Sequence, residues 1–180
     1  RFHAGNSYIL RKSYRMTQQI SNAIAPLRLD AGDGESENDA VTESLFSGAS
    51  PKWVNCHNAK HPEAVAVRIS KISSERSINL SQFAVITPDS ETSKTVAHQL
   101  DVHGVKRHIV NKDNKIELTV NRVNILNVHV AKGLEFPFVF VVSVVDGKYP
   151  QFPAINSCVD EKEIDEEFDR ARRLLYVALS

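Results

Sequence analysis

The sequence predicts an α/β protein built on a parallel β-sheet with helices on both faces. Three observations carry this. Phe138–Val145, F-V-F-V-V-S-V-V, is an almost unbroken apolar run rich in β-branched residues, the pattern of a strand buried on both faces of a parallel sheet. Phe83–Thr87, F-A-V-I-T, reads as a second buried strand. Around these runs lie segments with apolar residues at helical spacing, so strand and helix alternate along the chain, and that alternation gives parallel pairing.

Taken in order, Tyr8–Leu10 reads as a strand end feeding a turn at Ser13-Tyr14-Arg15. A helix comes next, with Ile20, Ala23, Ile24 and Leu27 on one face and Pro26 near its end. Residues 30–50 are acidic, rich in Gly, Ser and Asn and without period, which reads as a flexible loop. Lys52–Cys56 reads as a short strand, and His61–Ile72 as a helix with Pro62 in its first turn and Val65, Ile69 and Ile72 inward. Pro88 and Asp89 close the Phe83 strand. From Ser90 a helix carries Thr92, Val96 and Leu100 and stops at Gly104, a C-terminal cap. Val105–Val110 alternates as a strand, Lys112–Lys115 has turn chemistry, and Ile116–Val120 reads as an edge strand. Val123, Ile125, Val128 and Val130 mark the apolar face of a further strand with one slip in register. The last segment, Asp160–Ser180, is an amphipathic helix with Ile164, Phe168, Ala171, Leu175 and Leu179 on one face. Acidic residues crowd its first turns and Arg170, Arg172 and Arg173 its later part, in the sense the helix dipole favours, and a solvated face explains the same run.

At 180 residues the chain is one domain by length, 1–180. Twenty-two basic and 22 acidic residues give a formal net charge of +0, which excludes a polybasic nucleic-acid tail but leaves room for a local groove. No apolar run reaches the ~20 residues of a membrane helix, so no membrane partner is expected. Cys56 and Cys158 are far apart and suit a reducing compartment better than a disulfide framework. Cys56, His57 and His61 have no second ligand pair at zinc-site spacing, so no metal is expected on them. The chain starts at Arg1 and stops inside a motif, which makes it a piece of a longer protein by expectation.

Between the Val123 and Phe138 strands sit His129, Lys132, Gly133 and Glu135. Polar groups on a short loop between buried strands are displayed at a sheet edge, where open α/β sheets bind ligands. A solvated connection with a permissive Gly133 fits the spacing as well.

The residues His129–Phe136, H-V-A-K-G-L-E-F, resemble the fifth motif of the UvrD/Rep-like superfamily 1 helicases, T-x-H-x-A-K-G-L-E-F. Leu10–Asn22 resembles the fourth motif, built on N-Y-R-S-T, and Ala171–Ser180, A-R-R-L-L-Y-V-A-L-S, the sixth. The three stand in family order. The resemblance implies a RecA-like domain, the second motor domain of a P-loop NTPase-type helicase. About a hundred residues separate Arg15 from His129, which resembles the compact members without a large inserted subdomain.

The same resemblance implies a set of roles. The domain completes an ATP site whose phosphate cradle and Mg2+ ligands belong mainly to an N-terminal motor domain of the same protein; no G-x-x-x-x-G-K-[ST] occurs here, so the isolated chain is expected to be inactive. By that resemblance Tyr14 stacks on the adenine, Arg15 is the catalytic arginine finger at the γ-phosphate, Glu135 bonds the ribose, and Gly133 allows close approach. His129 contacts the phosphates of single-stranded DNA, with Asn127 and Lys132 beside it. Two positions depart from the pattern: Asn127 stands where the family has threonine, and Pro88 where an arginine is common. The sixth motif stops one residue short of an arginine that touches the γ-phosphate. The K-G-L-E form resembles the 3′-to-5′ branch, and the expected location is cytoplasmic, at the nucleoid in a bacterium. Two other readings stay open, a catalytically silent DNA- or protein-binding module and the motor half of a helicase-nuclease.

Overall fold

Every strand pair in the sheets of this computed structural model is parallel, as the alternation of strands and helices requires. The structure describes residues 12–27, 43–56, 60–110 and 120–180. They fall into two compact units, one reaching to Trp53 and the other running from Val54 to Leu179.

In the first unit β1 (Lys12–Thr17) leads directly into α1 (Gln18–Ile24) and a 3-10 turn at Ala25–Leu27, and β1 pairs with β2 (Glu43–Phe46). Thr17 caps α1, its hydroxyl accepting from the Ile20 amide at 3.4 Å. Gln18 and Gln19 at the start of α1 hold the second strand and the chain just after it: Gln18 Oε1 accepts from the Ser44 amide at 3.0 Å and Gln19 Oε1 from the Gly48 amide at 2.8 Å. Ser44 Oγ donates to the Met16 carbonyl. Met16 and Ile24 are buried, and Ala23, expected inward, is exposed.

Two expectations change here. Ser13-Tyr14-Arg15 is strand instead of turn, because Glu43–Phe46 supplies main-chain partners from within the segment read as loop. That partner strand has only four residues, Glu-Ser-Leu-Phe, too few and without alternation, so neither apolar period nor turn residues announced it. Lys52–Cys56 is in no ladder, and its first four residues are exposed, Trp53 and Val54 largely open to solvent. The expected Tyr8–Leu10 strand end lies outside the described residues.

The second unit holds α2 (His61–Arg76), β3 (Phe83–Thr87), α3 (Ser90–Val102), β4 (Arg107–Val110), β5 (Val123–Asn127), β6 (Phe138–Val141), α4 (Phe152–Asn156) and α5 (Glu161–Leu179). Its sheet has the order β4-β5-β3-β6. Pro62 lies in the first turn of α2, as expected. The helix runs a turn beyond Ile72 and ends at Ser77, whose φ of 51° is left-handed. Gly104, with φ +67°, terminates α3 as expected, the Val105 amide returning to the Leu100 carbonyl at 2.8 Å. The turn at Lys112–Lys115 and nearly all of the expected Ile116–Val120 strand lie outside the described residues.

The alternation of side chains divides this sheet into two faces. Phe83 and Val85 of β3 and Val123 and Ile125 of β5 meet Ala66 and Ile69 of α2 and Val96, Ala97 and Leu100 of α3. Phe83 is fully buried and stacks on Phe138 with ring centroids 4.9 Å apart. On the opposite face Ile86, Val128 and Ala131 pack with Ala178 and Leu174 of α5, while Ala84, Val110 and Leu126 meet Val130, Leu134 and Phe136. The segment between β5 and β6 therefore contributes to the cover of that face beside α5.

Three further expectations are corrected. The Phe138–Val145 run is not a long strand buried on both faces: β6 stops at Val141 and lies at the edge of the described sheet, with Val139 exposed. Ser143 takes φ 56°, which no strand continues through. Likewise β5 ends at Asn127, and Val128–Val130 form a turn. In α5 the buried line runs through Ala171, Leu174 and Ala178, leaving Phe168 52% exposed. Its start is fixed by Asp160 accepting from the Glu163 amide at 2.8 Å and Glu163 from the Val159 amide at 2.7 Å. Helix α4 carries no strong period and was not expected.

Candidate functional site

The segment from Asn127 to Phe136 sorts its residues by polarity. Val128 and Ala131 are buried and Val130, Leu134 and Phe136 partly so, all packed on the sheet, while His129, Lys132, Gly133 and Glu135 are exposed. The apolar members anchor the loop, and the polar members are presented from the carboxyl end of β5, where open parallel sheets bind ligands. The local fold comes from Asn127. Its carbonyl accepts from the amides of Val130 at 2.8 Å and Ala131 at 3.2 Å, and its Oδ1 accepts from the His129 amide at 3.0 Å. Gly133 has φ +83°, and a Cβ there would meet nothing within 4 Å. Backbone conformation, not crowding within the chain, is what requires glycine here.

Asn127 is turned inward more than the sequence suggested. Its Nδ2 donates to the Pro88 carbonyl at 3.2 Å. Thus the two positions that depart from the motif pattern, Asn127 and Pro88, are bonded to each other.

Tyr14 and Arg15 belong to the first unit, on β1. The register runs from Ser13↔Ser44 to Thr17↔Phe46, so Tyr14, Arg15 and Met16 stand opposite the single residue Leu45. Both residues precede the Thr17 cap of α1.

Known proteins agree with this architecture. Residues 105–180 match the family model described as the UvrD-like helicase C-terminal domain. Residues 105–180 carry a UvrD-like helicase C-terminal domain. Over 102 residues it is 32% identical to the ATP-dependent DNA helicase PcrA of Staphylococcus epidermidis, a match covering 57% of this chain and 13% of that protein. The PcrA protein of Staphylococcus aureus is 31% identical over the same length and coverage. The match thus spans about 13% of the length of these curated relatives. The crystal structure of the C-terminal domain of a possible DNA helicase from Lactobacillus plantarum WCFS1 superposes with a TM-score of 0.59 at 20% identity, covering 93% of this chain and 81% of that one, and shares its fold.

Around the motif loop of this UvrD-like domain the structure adds residues that sequence reading missed. Asp89 caps α3 through Oδ1, accepting from the Thr92 amide at 2.7 Å, and its Oδ2 accepts from Lys148 Nζ at 2.7 Å. Partial burial raises the Asp89 pKa, and the bonds from Lys148 and Thr92 outweigh it, so the carboxyl is held below its ordinary range. Gln151 Nε2 donates to the Pro88 carbonyl at 3.3 Å. The Tyr149 hydroxyl is buried without a partner among the described residues, and burial together with the Asp89 charge raises its pKa. At the end of β6, Ser143 Oγ lies 2.9 Å from His61 Nε2, and burial lowers the His61 pKa. Lys148 and Gln151 lie far from the motif in sequence; only the short Gly-Lys-Tyr-Pro stretch after the β6 run marked a turn there.

Proposed function

We propose that this domain is the second motor half of an ATP-dependent DNA helicase moving 3′ to 5′ along a single strand. The observation that carries the reading is the sorting of the motif loop, with His129, Lys132, Gly133 and Glu135 exposed over a buried apolar anchor. The relatives' description as ATP-dependent DNA helicases supports it. In this reading His129 and Lys132 meet backbone phosphates of single-stranded DNA, and Asn127 sets the loop that bears them. Glu135 bonds the ribose of ATP, and the open space at Gly133 admits the nucleotide. Tyr14 stacks on the base, and Arg15 neutralises charge developing on the γ-phosphate. Mg2+ and the phosphate cradle belong to an N-terminal motor domain of the same protein, so the domain alone is inactive. DNA repair in the cytoplasm is the setting that fits. The test is ATP turnover of the full-length protein with and without single-stranded DNA, beside Arg15→Ala. DNA-stimulated turnover falling by roughly 10³ in the variant with ATP binding kept is the expected result. Turnover indifferent to both DNA and the substitution would favour a silent binding module, the reading to which the Asn127 and Pro88 departures point.

A further inference from the structure

We propose that Asn127, Lys148 and Gln151 are positioning residues that lock the corner Pro88–Asp89 to the motif loop and so fix His129; the DNA half of this proposal rests on the function proposed above. The strand order supplies the reason. Because β3 lies between β5 and β6, the corner after β3 emerges between the chain leaving β5 and the chain leaving β6. Proline at position 88 offers no side-chain donor and no N–H, so its carbonyl is what the corner presents. A carbonyl oxygen has two lone pairs, and this one takes a donor from each side: Asn127 Nδ2 at 3.2 Å and Gln151 Nε2 at 3.3 Å. The next residue, Asp89, takes Lys148 Nζ at 2.7 Å on the oxygen that α3 does not use. From the other end of the Asn127 amide, Oδ1 holds the His129 N–H at 3.0 Å. Lys148 and His129 are thereby joined through Asp89, Pro88 and Asn127 by direct hydrogen bonds and one peptide link. The two departures from the family motif become one unit: an asparagine amide both donates to the corner and accepts from the loop.

Lys148→Met in the full-length protein tests this, with Lys148→Arg as the conservative restoration and Gln151→Ala as a second way to loosen the corner. Hydrogen exchange is read at the His129 amide, with the Val85 amide in the buried centre of β3 as reference, and affinity for an oligothymidylate strand is measured alongside. The expected result is exchange at His129 roughly five-fold faster in Lys148→Met and Gln151→Ala, with Val85 unmoved, Lys148→Arg near the unaltered protein, and weaker DNA binding tracking the exchange. Unchanged exchange at His129, or equal acceleration at Val85, would overturn the lock. An unaltered protein that does not bind the strand would remove the DNA reading, and the exchange data would still decide the lock by themselves.

Discussion

Strands β3 and β6 are neighbours in one sheet, similar in composition, and opposite in circumstance. All five residues of β3 are buried, whereas in β6 only Phe138, Phe140 and Val141 are partly covered and Val139 is exposed. The longer and more apolar run in the sequence is the less buried one. Apolar content reports what a strand would gain from burial, about 25 cal/mol per Å2, but position in the sheet decides how much of that gain is realised. β3 is flanked by β5 and β6 and covered by α2 and α3 on one face; β6 has a described neighbour on one side only.

The comparison breaks or sharpens most strongly at its centre. Phe83→Ala removes the fully buried ring stacked on Phe138 and is expected to cost about 3–5 kcal/mol in chemical denaturation. A cost below that of an edge substitution would show that β3 is not the centre of the core. Next comes the corner that closes β3: Asp89→Ala removes the α3 cap and an ion pair and is expected to cost about 1–2 kcal/mol. Because the Asp89 carboxyl is held below its ordinary value of 3.8, its contribution is full above that pH and is lost as pH falls through the lower folded value. Asp89→Asn, which keeps a cap acceptor, should flatten that acid limb.

At the end of β6 the expected effect is smaller and has the opposite chemistry. Burial lowers the His61 pKa from 6.5, so the fold excludes a proton that the unfolded chain binds. Stability should therefore rise with pH between the folded value and 6.5 and level off above it. His61→Gln keeps a partner for Ser143 and should remove that slope; an unchanged slope in thermal melts across this range would assign it to another group. Smallest of all, Val139→Ala on the exposed edge is expected to cost less than about 1 kcal/mol. A loss comparable with that of Phe83→Ala would mean that something covers β6, and the contrast between the strands would dissolve.

Much of the second unit was legible. The β3 run, the helix starting at Ser90, the stop at Gly104 and the Pro62 start of α2 all arise from local chemistry that acts within a few residues. In the motif loop the polar residues were recognised, and the alternation with Val128, Ala131, Leu134 and Phe136 explains why they face outward. Strand β2 was missed because its pairing with β1 is made by main-chain groups some thirty positions apart, for which a four-residue stretch without alternation gives no signal. The line of burial on α5 was misjudged at Phe168 because an amphipathic stripe is wide, and only the neighbour chosen in three dimensions, here Ile86, Val128 and Ala131, selects which part of it is covered.

By itself the sequence determined the parallel α/β class, the main helix starts and stops, and the identity of the exposed motif residues, because hydrophobic period, caps and positive-φ positions act locally. Tertiary structure alone decided that the most apolar run sits at an edge and that its strand stops at Val141. It also decided that Asn127 turns inward to Pro88 and that Lys148 and Gln151 return to the same corner. Strand order and long-range hydrogen bonds arise from which surfaces meet, and residues 39 to 63 positions apart carry no mark of that meeting until the chain has folded.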